Sequence, residues 1–454
     1  MPTFVRRSRF ALPREQLFAW HERVGAFERL SPPWAPARVI SRTGTIHDGD
    51  EITLSTKAGP LDTTWHLRHR DFIAGAQFRD VMQRGPFARW SHTHRLADAE
   101  GGGSTLTDEI DWELPLAPLG RVVAGRFTAR QLERVFRYRH ALMANDFKRL
   151  ALLGPAPLTV AITGASGLIG TAFTHLLTTG GHTVRAIGRM ARAPGSIAWD
   201  PARSALDPRA LEGVDAVVHL AGASVAERWT PQHKRDIMQS RAEGTALIAR
   251  TLAQLERKPA VLVSASAIGI YGLRGSEWLD ESSALGSGFL ADVARAWEGE
   301  ADPARAAGIR VVHPRIGLVL TPLGGLLGKL LPLFQLGAGG KIGSGAQWQS
   351  WVAIDDVLGA LCLAIGNAGL SGPANVVAPN PVTNAEFTDV LARVLGRPSF
   401  ATVPSFAMRL AFGEEMTREV FSASQRVRPG VLTKAGFAFD FDTLEAALRF
   451  QLGK

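Results

Sequence analysis

The stretch Val160–Gly170, VAITGASGLIG, decides how this chain is read. A short apolar run breaks into three glycines at GxxGxxG spacing, and a helical segment follows. A strand that enters a helix through such a turn is a dinucleotide site. Gly164 permits the tight turn, Gly167 lets backbone approach a pyrophosphate, and Gly170 lets the helix pack close to the strand. The helix N-terminus then faces the anion.

Outward from this turn, LTVAIT (158–163), TVRAIG (183–188), AVVHLA (216–221), AVLVSA (260–265) and RVVHPRIG (310–317) are apolar runs separated by helical stretches. That alternation predicts a doubly wound parallel sheet, buried on both faces, of the Rossmann type. At the end of the second run, where an acidic residue would hold a ribose 2′-hydroxyl, stands Arg189, followed by Arg192. Arginine there suits a 2′-phosphate and favours NADP over NAD; a merely exposed side chain is the plain alternative. Small residues from Leu220 to Ala223 allow close backbone approach on the adenine side. From about Asn384 the chain reads as a mostly helical section.

Residues 1–152 have a different grammar. Arg14–Glu28 reads as a helix. Strand-like segments follow at Ala37–Ile46, Glu51–Thr56, Thr63–His69, Gln77–Met82, Trp90–Leu96 and Thr105–Trp112, and a long helical pattern runs over Thr128–Leu152. An antiparallel sheet wrapped around one long helix is the expected α+β arrangement. LGPAP (153–157) is a linker, so the division expected is 1–152 and 158–454.

The 454 residues, 46% hydrophobic and 20% charged, suit two to four globular units. The single cysteine, Cys362, excludes an internal disulfide framework and any multi-cysteine metal site. The start lacks the apolar core of a secretory signal, and the most apolar stretch, Ile316–Gly340, is cut by Lys329 and by glycines and prolines. A cytoplasmic protein without a membrane span is expected. The net charge of +9 is scattered rather than run together, which gives no footing for a nucleic-acid partner.

The second part resembles the extended short-chain dehydrogenases/reductases, and more closely their atypical nucleoside-sugar-epimerase-like branch. The resemblance rests on TGASGLIG (163–170), HLAGASVAERW (219–229), KRDIMQSR (234–241), SASAIGIYG (264–272), FLADVARAWE (289–298), PRIGLVL (314–320), LPLFQLGAGGKIGSGAQWQSWVAIDDV (331–357) and NVVAPNPVTNAEF (375–387). It implies NADP contacts at Gly164, Ser166, Gly167, Leu168, Ile169, Gly170, Gly188, Arg189, Leu220, Ala221, Gly222, Asp236, Arg241, Ser264 and Pro314. It also implies a small-molecule substrate and a homodimer.

Such enzymes need a tyrosine with a lysine four residues on, plus a serine that binds the substrate oxygen. Here Tyr138 is followed at that spacing by Leu142 and Tyr271 by Gly275, so no YxxxK exists. Ser266 and Tyr271 remain as candidate catalytic residues, with plain packing the alternative for Tyr271. Trp348 and Trp351 are candidate walls of a substrate pocket, or simply packing. Asp355 and Asp356 are candidates for substrate contact or for capping a helix.

The first part resembles the START-like helix-grip superfamily in its polyketide cyclase/dehydrase-like members. PREQLFAWH (13–21), the strand pair over 64–96, STLTDEIDWELPLAPLG (104–120) and FRYRHALMANDF (136–147) carry it. It implies an apolar cavity for a lipid-like or aromatic ligand. His92 and His94 share a strand face whereas His66 and His69 take opposite faces, so no joint metal site is implied and a polar strand face is expected. Two functions fit: an NADP-dependent oxidoreductase or epimerase-like enzyme on a small hydroxyl or carbonyl compound, and a non-catalytic NADP-binding sensor carrying a hydrophobic ligand.

Overall fold

The computed structural model describes residues 2–58, 61–115, 118–190 and 195–454, with backbone alone at 58 and 118–123. Arg192 lies outside them. The chain separates into two compact units, residues 1–148 with 175–181 and 453, and the remainder.

The first unit is a seven-stranded antiparallel sheet with a long helix. Its strands are β1 (Thr3–Phe10), β2 (Arg38–Thr43), β3 (Glu51–Ala58), β4 (Leu61–Ile73), β5 (Gln77–Arg84), β6 (Arg89–Asp98) and β7 (Ser104–Glu113), in the order β1-β7-β6-β5-β4-β3-β2. The basic N-terminal strand β1 was not among the expected elements; it pairs with β7 along its whole length. The expected helix over 14–28 is two helices, α1 (Arg14–Glu22) and α2 (Ala26–Leu30), because Gly25 between them takes φ +98°. The long helix α3 (Pro118–Ala151) buries Leu132, Phe136, His140 and Met143, spaced three or four residues apart on one stripe. Leu132 and Phe136 pack with Ile110 and Trp112, and Met143 with Leu96 and Leu106.

Strand periodicity makes the concave face of this sheet. On β7 alternate residues Leu106, Asp108, Ile110 and Trp112 are buried. From Leu106 to Trp112, β7 gives that face apolar side chains except at Asp108.

The second unit is built on a mostly parallel sheet: β8 (Thr159–Thr163), β9 (Thr183–Gly188), β10 (Ile197–Asp200), β11 (Ala205–Leu206), β12 (Ala216–His219), β13 (Val261–Ser264), β14 (Ser266–Ala267), β15 (Arg310–Ile316) and β16 (Gly372–Val376). The order runs β11-β10-β9-β8-β12-β13-β15, with β14 and β16 both paired to β15 and only β11 antiparallel. The order reverses between β8 and β12, the place where an open α/β sheet leaves its ligand crevice. Helices α4 (Leu168–Thr179), α5 (Pro231–Ala253), α6 (Phe289–Gly299) and α7 (Ile354–Gly366) belong to this layer, and β12 and β13 are buried throughout. The chain beyond Asn384 is largely helical, as its pattern predicts, opening with α8 (Asn384–Leu395) and ending in α9 (Leu444–Leu452). No helix among the described residues is long and apolar enough to cross a membrane.

Asp355 and Asp356 are both buried in the first turn of α7. Asp355 Oδ2 accepts from Gln451 Nε2 at 2.7 Å, and Asp356 Oδ1 accepts from the Asp440 amide at 2.7 Å. They fasten the C-terminal section to α7. Burial raises the Asp356 carboxyl to about 7, helped by the nearby charge of Asp440. A pKa raised on folding means stability that is whole below pH 4 and is lost as pH climbs through 7, at about 1.4 kcal/mol per unit. Asp356→Asn keeps the acceptor and cannot ionise. Its gain in Tm over wild type is expected to be small at pH 5 and several degrees at pH 8; an equal gain at both pH values would contradict this origin.

Candidate functional site

At the end of β8, Gly164 turns with φ +68° and its carbonyl accepts from the Gly167 amide at 2.9 Å. Backbone crowds the positions of its glycine side chains. A methyl on Gly164 would stand 2.9 Å from the Leu220 carbonyl carbon, and one on Gly170 only 2.1 Å from the Gly164 oxygen. Thr163, fully buried, ties the next strand end to this turn: its Oγ1 accepts from the amides of Leu220 and Ala221 and pairs with His219 Nδ1 at 2.7 Å. Burial drives His219 down to about 3, so it is neutral and serves as a core tie.

Ser166, Gly167, Leu168 and Ile169 complete the turn into α4, and Ser166 and Gly167 are exposed. Gly188 ends β9, and Arg189 follows it, exposed. Arg241, on α5, is the less obvious element. Its guanidinium donates to the carbonyls of Ala223 and Ile237 at 3.0 and 3.2 Å, packs against Gly222, and lies 4.9 Å over the Trp297 ring. Among the described residues it pairs with no carboxylate, and burial lowers its pKa to about 10. A half-buried cation beside a glycine turn, satisfied only by carbonyls, suits an anionic ligand. Asp236, one turn earlier, accepts from Gln232 and lies partly exposed. Ser264, at the end of β13 and across from His219, and Pro314, on β15, are both buried.

On the next strand ends a second cluster forms. Ser266 Oγ donates to Glu298 Oε1 at 2.7 Å. Glu298 takes both ends of the Arg315 guanidinium at 2.8 and 2.9 Å, and Arg315 Nη1 donates to the Tyr271 hydroxyl at 3.0 Å. Tyr271, wholly buried, donates in turn to Asn375 Oδ1 at 2.7 Å. Burial raises its pKa against the opposing charge of Arg315. Sequence reasoning quoted the motifs that hold Glu298 and Arg315 but passed over both residues. A glutamate ending FLADVARAWE and the arginine within RVVHPRIG were the available signals.

The two tryptophans divide. Trp351 is fully buried in the core, its Nε1 donating to the Asn380 carbonyl at 2.9 Å. Trp348 lines a polar cavity of about 380 Å³ with Ser276, Ser344, Gln347, Ser422 and Ser424. The Arg426 guanidinium lies 3.9 Å over Trp348 and 4.0 Å over Trp278. Ser266 and Tyr271 are not among that cavity's walls.

In the first unit a cavity of about 470 Å³ opens between sheet and α3, walled by Phe27, Leu54, Leu67, Trp90, Leu132 and Phe136. The expectation of a polar strand face at the histidines is corrected here: His69, His92 and His94 are buried, and the cavity walls include all three with Asp80. Register explains it, since Asp80 lies directly across from His69 on one side and His92 on the other, and Asp108 across from His94. Two inward carboxylates draw the rings in. Burial opposes charge on His94, but Asp108 and Asp80 beside it hold its pKa at about 9. His66 stays apart, against Thr53.

Known proteins show the same two parts. The NAD-dependent epimerase/dehydratase family profile matches residues 160–378, polyketide cyclase/dehydrase and lipid transport matches 10–136, and a domain of unknown function matches 403–451. An epimerase family protein of Mycobacterium bovis is 42% identical over 297 residues, 65% of this chain and 98% of its own length. Among solved structures, a nucleoside-diphosphate sugar epimerase from Corynebacterium glutamicum is 35% identical with a TM-score of 0.81, covering 100% of this chain and 90% of its own. The human epimerase family protein SDR39U1, solved with NADPH, is 33% identical with a TM-score of 0.60, covering 65% of this chain and 99% of its own. With the glycine turn in place and relatives of this identity spanned almost end to end, the chain belongs to the epimerase family, its nucleotide domain preceded by one of the polyketide cyclase/dehydrase type.

Proposed function

We propose that this protein binds NADP(H) at the Gly164–Gly170 turn and uses it in oxidoreductase or epimerase-like chemistry on a small hydroxyl or carbonyl compound. The observation that carries the reading is the glycine turn walled by the Leu220–Ala221 backbone, with the partly buried Arg241 packed on the following Gly222 and donating to carbonyls. The relative solved with NADPH supports the phosphorylated cofactor, and exposed Arg189 is the side chain assigned to the 2′-phosphate. The bound cofactor supplies or accepts a hydride. The protein's part is to fix the anion, hold the strand ends through Thr163, and present the Ser266–Glu298–Arg315 network nearby.

One observation favours the non-catalytic reading. The Tyr271 hydroxyl, the expected proton donor, is already occupied by Asn375 and Arg315 and has no lysine. An unassisted tyrosine titrates near pH 10, and burial here moves it further up. Hydride exchange between labelled NADPH and a panel of small carbonyl compounds distinguishes the two. Turnover supports the enzyme; NADPH binding with no exchange across the panel supports the sensor. Within the enzyme reading, Tyr271→Phe keeps the exchange rate within about twofold if the tyrosine only packs, and cuts it by about 100-fold if it moves the proton. In both readings the first unit holds an apolar ligand, which its cavity and polyketide cyclase match support.

A further inference from the structure

At the floor of the first unit's cavity, the geometry points to a divalent transition-metal site of the zinc class, with Asp80, His92 and His94 as its three protein ligands. One ligand atom from each lies within 4.8 Å of the others.

The first argument is spacing. Asp80 Oδ2 stands 3.5 Å from His92 Nδ1 and 3.5 Å from His94 Nε2. That is long for a charged hydrogen bond, which closes to about 2.8 Å. Two ligands on a tetrahedral ion, each about 2.05 Å from it, stand about 3.4 Å apart. Asp80 thus stands from each ring at the separation of two ligands on one ion.

The second argument is what stands behind the ligands. A metal-bound imidazole gives its other ring N–H to a carboxylate, which fixes the ring and its tautomer. Here the buried Asp108 carboxylate hydrogen-bonds His92 and stands in ion-pair range of His94. Asp108 Oδ1 lies 2.9 Å from His92 Nε2 and 2.7 Å from His94 Nδ1. Its other oxygen pairs with His140 Nε2 at 2.5 Å, and His140 Nδ1 rests on Ser8 Oγ at 2.7 Å. Asp80 has its own charge neighbour, with His69 Nδ1 2.8 Å from Oδ1, in ion-pair range.

The third argument is access. Asp80, His92 and His94 all belong to the wall of the 470 Å³ cavity, whose surface is otherwise mainly apolar. Three protein ligands leave at least one position open toward that space, the layout of a reactive rather than a structural zinc site. Two imidazoles and one carboxylate also suit ferrous iron. The open position would take an oxygen donor, such as a carbonyl or enolate, carried by an otherwise apolar molecule.

The test uses the full chain stripped of metal by chelation and titrated with Zn²⁺ and, separately, Co²⁺. We expect one equivalent of each to bind per chain, with metal X-ray absorption showing two imidazoles among N/O ligands at about 2.0–2.1 Å. His94→Ala should weaken Zn²⁺ binding by at least about 100-fold, and Asp108→Asn, which touches no ion, by about 10- to 100-fold. Thermal unfolding of each variant shows that it is folded, and the absorption spectrum of wild type stands if one is not. No saturable site, a site lacking imidazole scattering, or Zn²⁺ affinity unchanged in folded His94→Ala would each overturn the assignment.

Discussion

Gly170→Ala is expected to lower NADPH affinity by more than about 100-fold, a loss of about 2.7 kcal/mol or more. The added methyl would lie 2.1 Å from the Gly164 oxygen and 2.8 Å from both the Gly164 carbonyl carbon and the Ala165 Cα. Contacts that short are not tolerated, and all three atoms are backbone, so no side chain can swing aside. The turn itself has to open. That widens the gap between β8 and α4 and displaces the amides that would meet the pyrophosphate. Gly299→Ala, whose new methyl meets nothing within 4 Å, is the matched control and should retain wild-type affinity. Fluorescence titration of both variants with NADPH checks this, and near-equal affinities would show that the turn does not hold the cofactor.

The second large effect is on stability. Glu298→Ala should cost about 3–5 kcal/mol, because it strands the Arg315 guanidinium in the interior. The Arg315 side chain is only 5% exposed, and Glu298 meets it as a two-pronged pair. Burial disfavours the charge on Arg315, and that pairing reverses the effect and raises its pKa. Arg315→Ala should also destabilise, since it leaves Glu298 with Ser266 alone and removes a donor from Tyr271. The double variant should lose clearly less than the sum of the two, because the second substitution removes the group the first has stranded. Urea unfolding of the four proteins closes this cycle. Simple additivity would mean that the pair is not energetically coupled.

These effects also show where sequence reading reached and where it stopped. The glycine turn was legible because its constraint is local: three positions within seven residues each need a missing side chain for a reason stated by the turn itself. The change from antiparallel to parallel grammar was legible for the same reason, since period and run length are properties of short segments. The Glu298–Arg315 pair was not, because a helix end and a strand 17 residues on meet only through tertiary packing. The histidines are the intermediate case. Period two placed His92 and His94 on one face, but which face turns inward depends on the partner strands. Asp80 and Asp108 settled that, and they are legible only once β5, β6 and β7 are in register. Likewise Asp355 and Asp356 read as a substrate or capping motif, while their partners Gln451 and Asp440 lie 84 or more residues away.

The functional reading rests on NADP(H) at the Gly164–Gly170 turn, and its most direct test is titration of the purified chain with NADPH and, in parallel, NADH, followed by nucleotide fluorescence. The account predicts saturable binding of one NADPH per chain, tighter than NADH by about tenfold or more through the arginine at the 2′-phosphate. Binding of neither nucleotide would contradict it and leave the turn a structural feature of the fold.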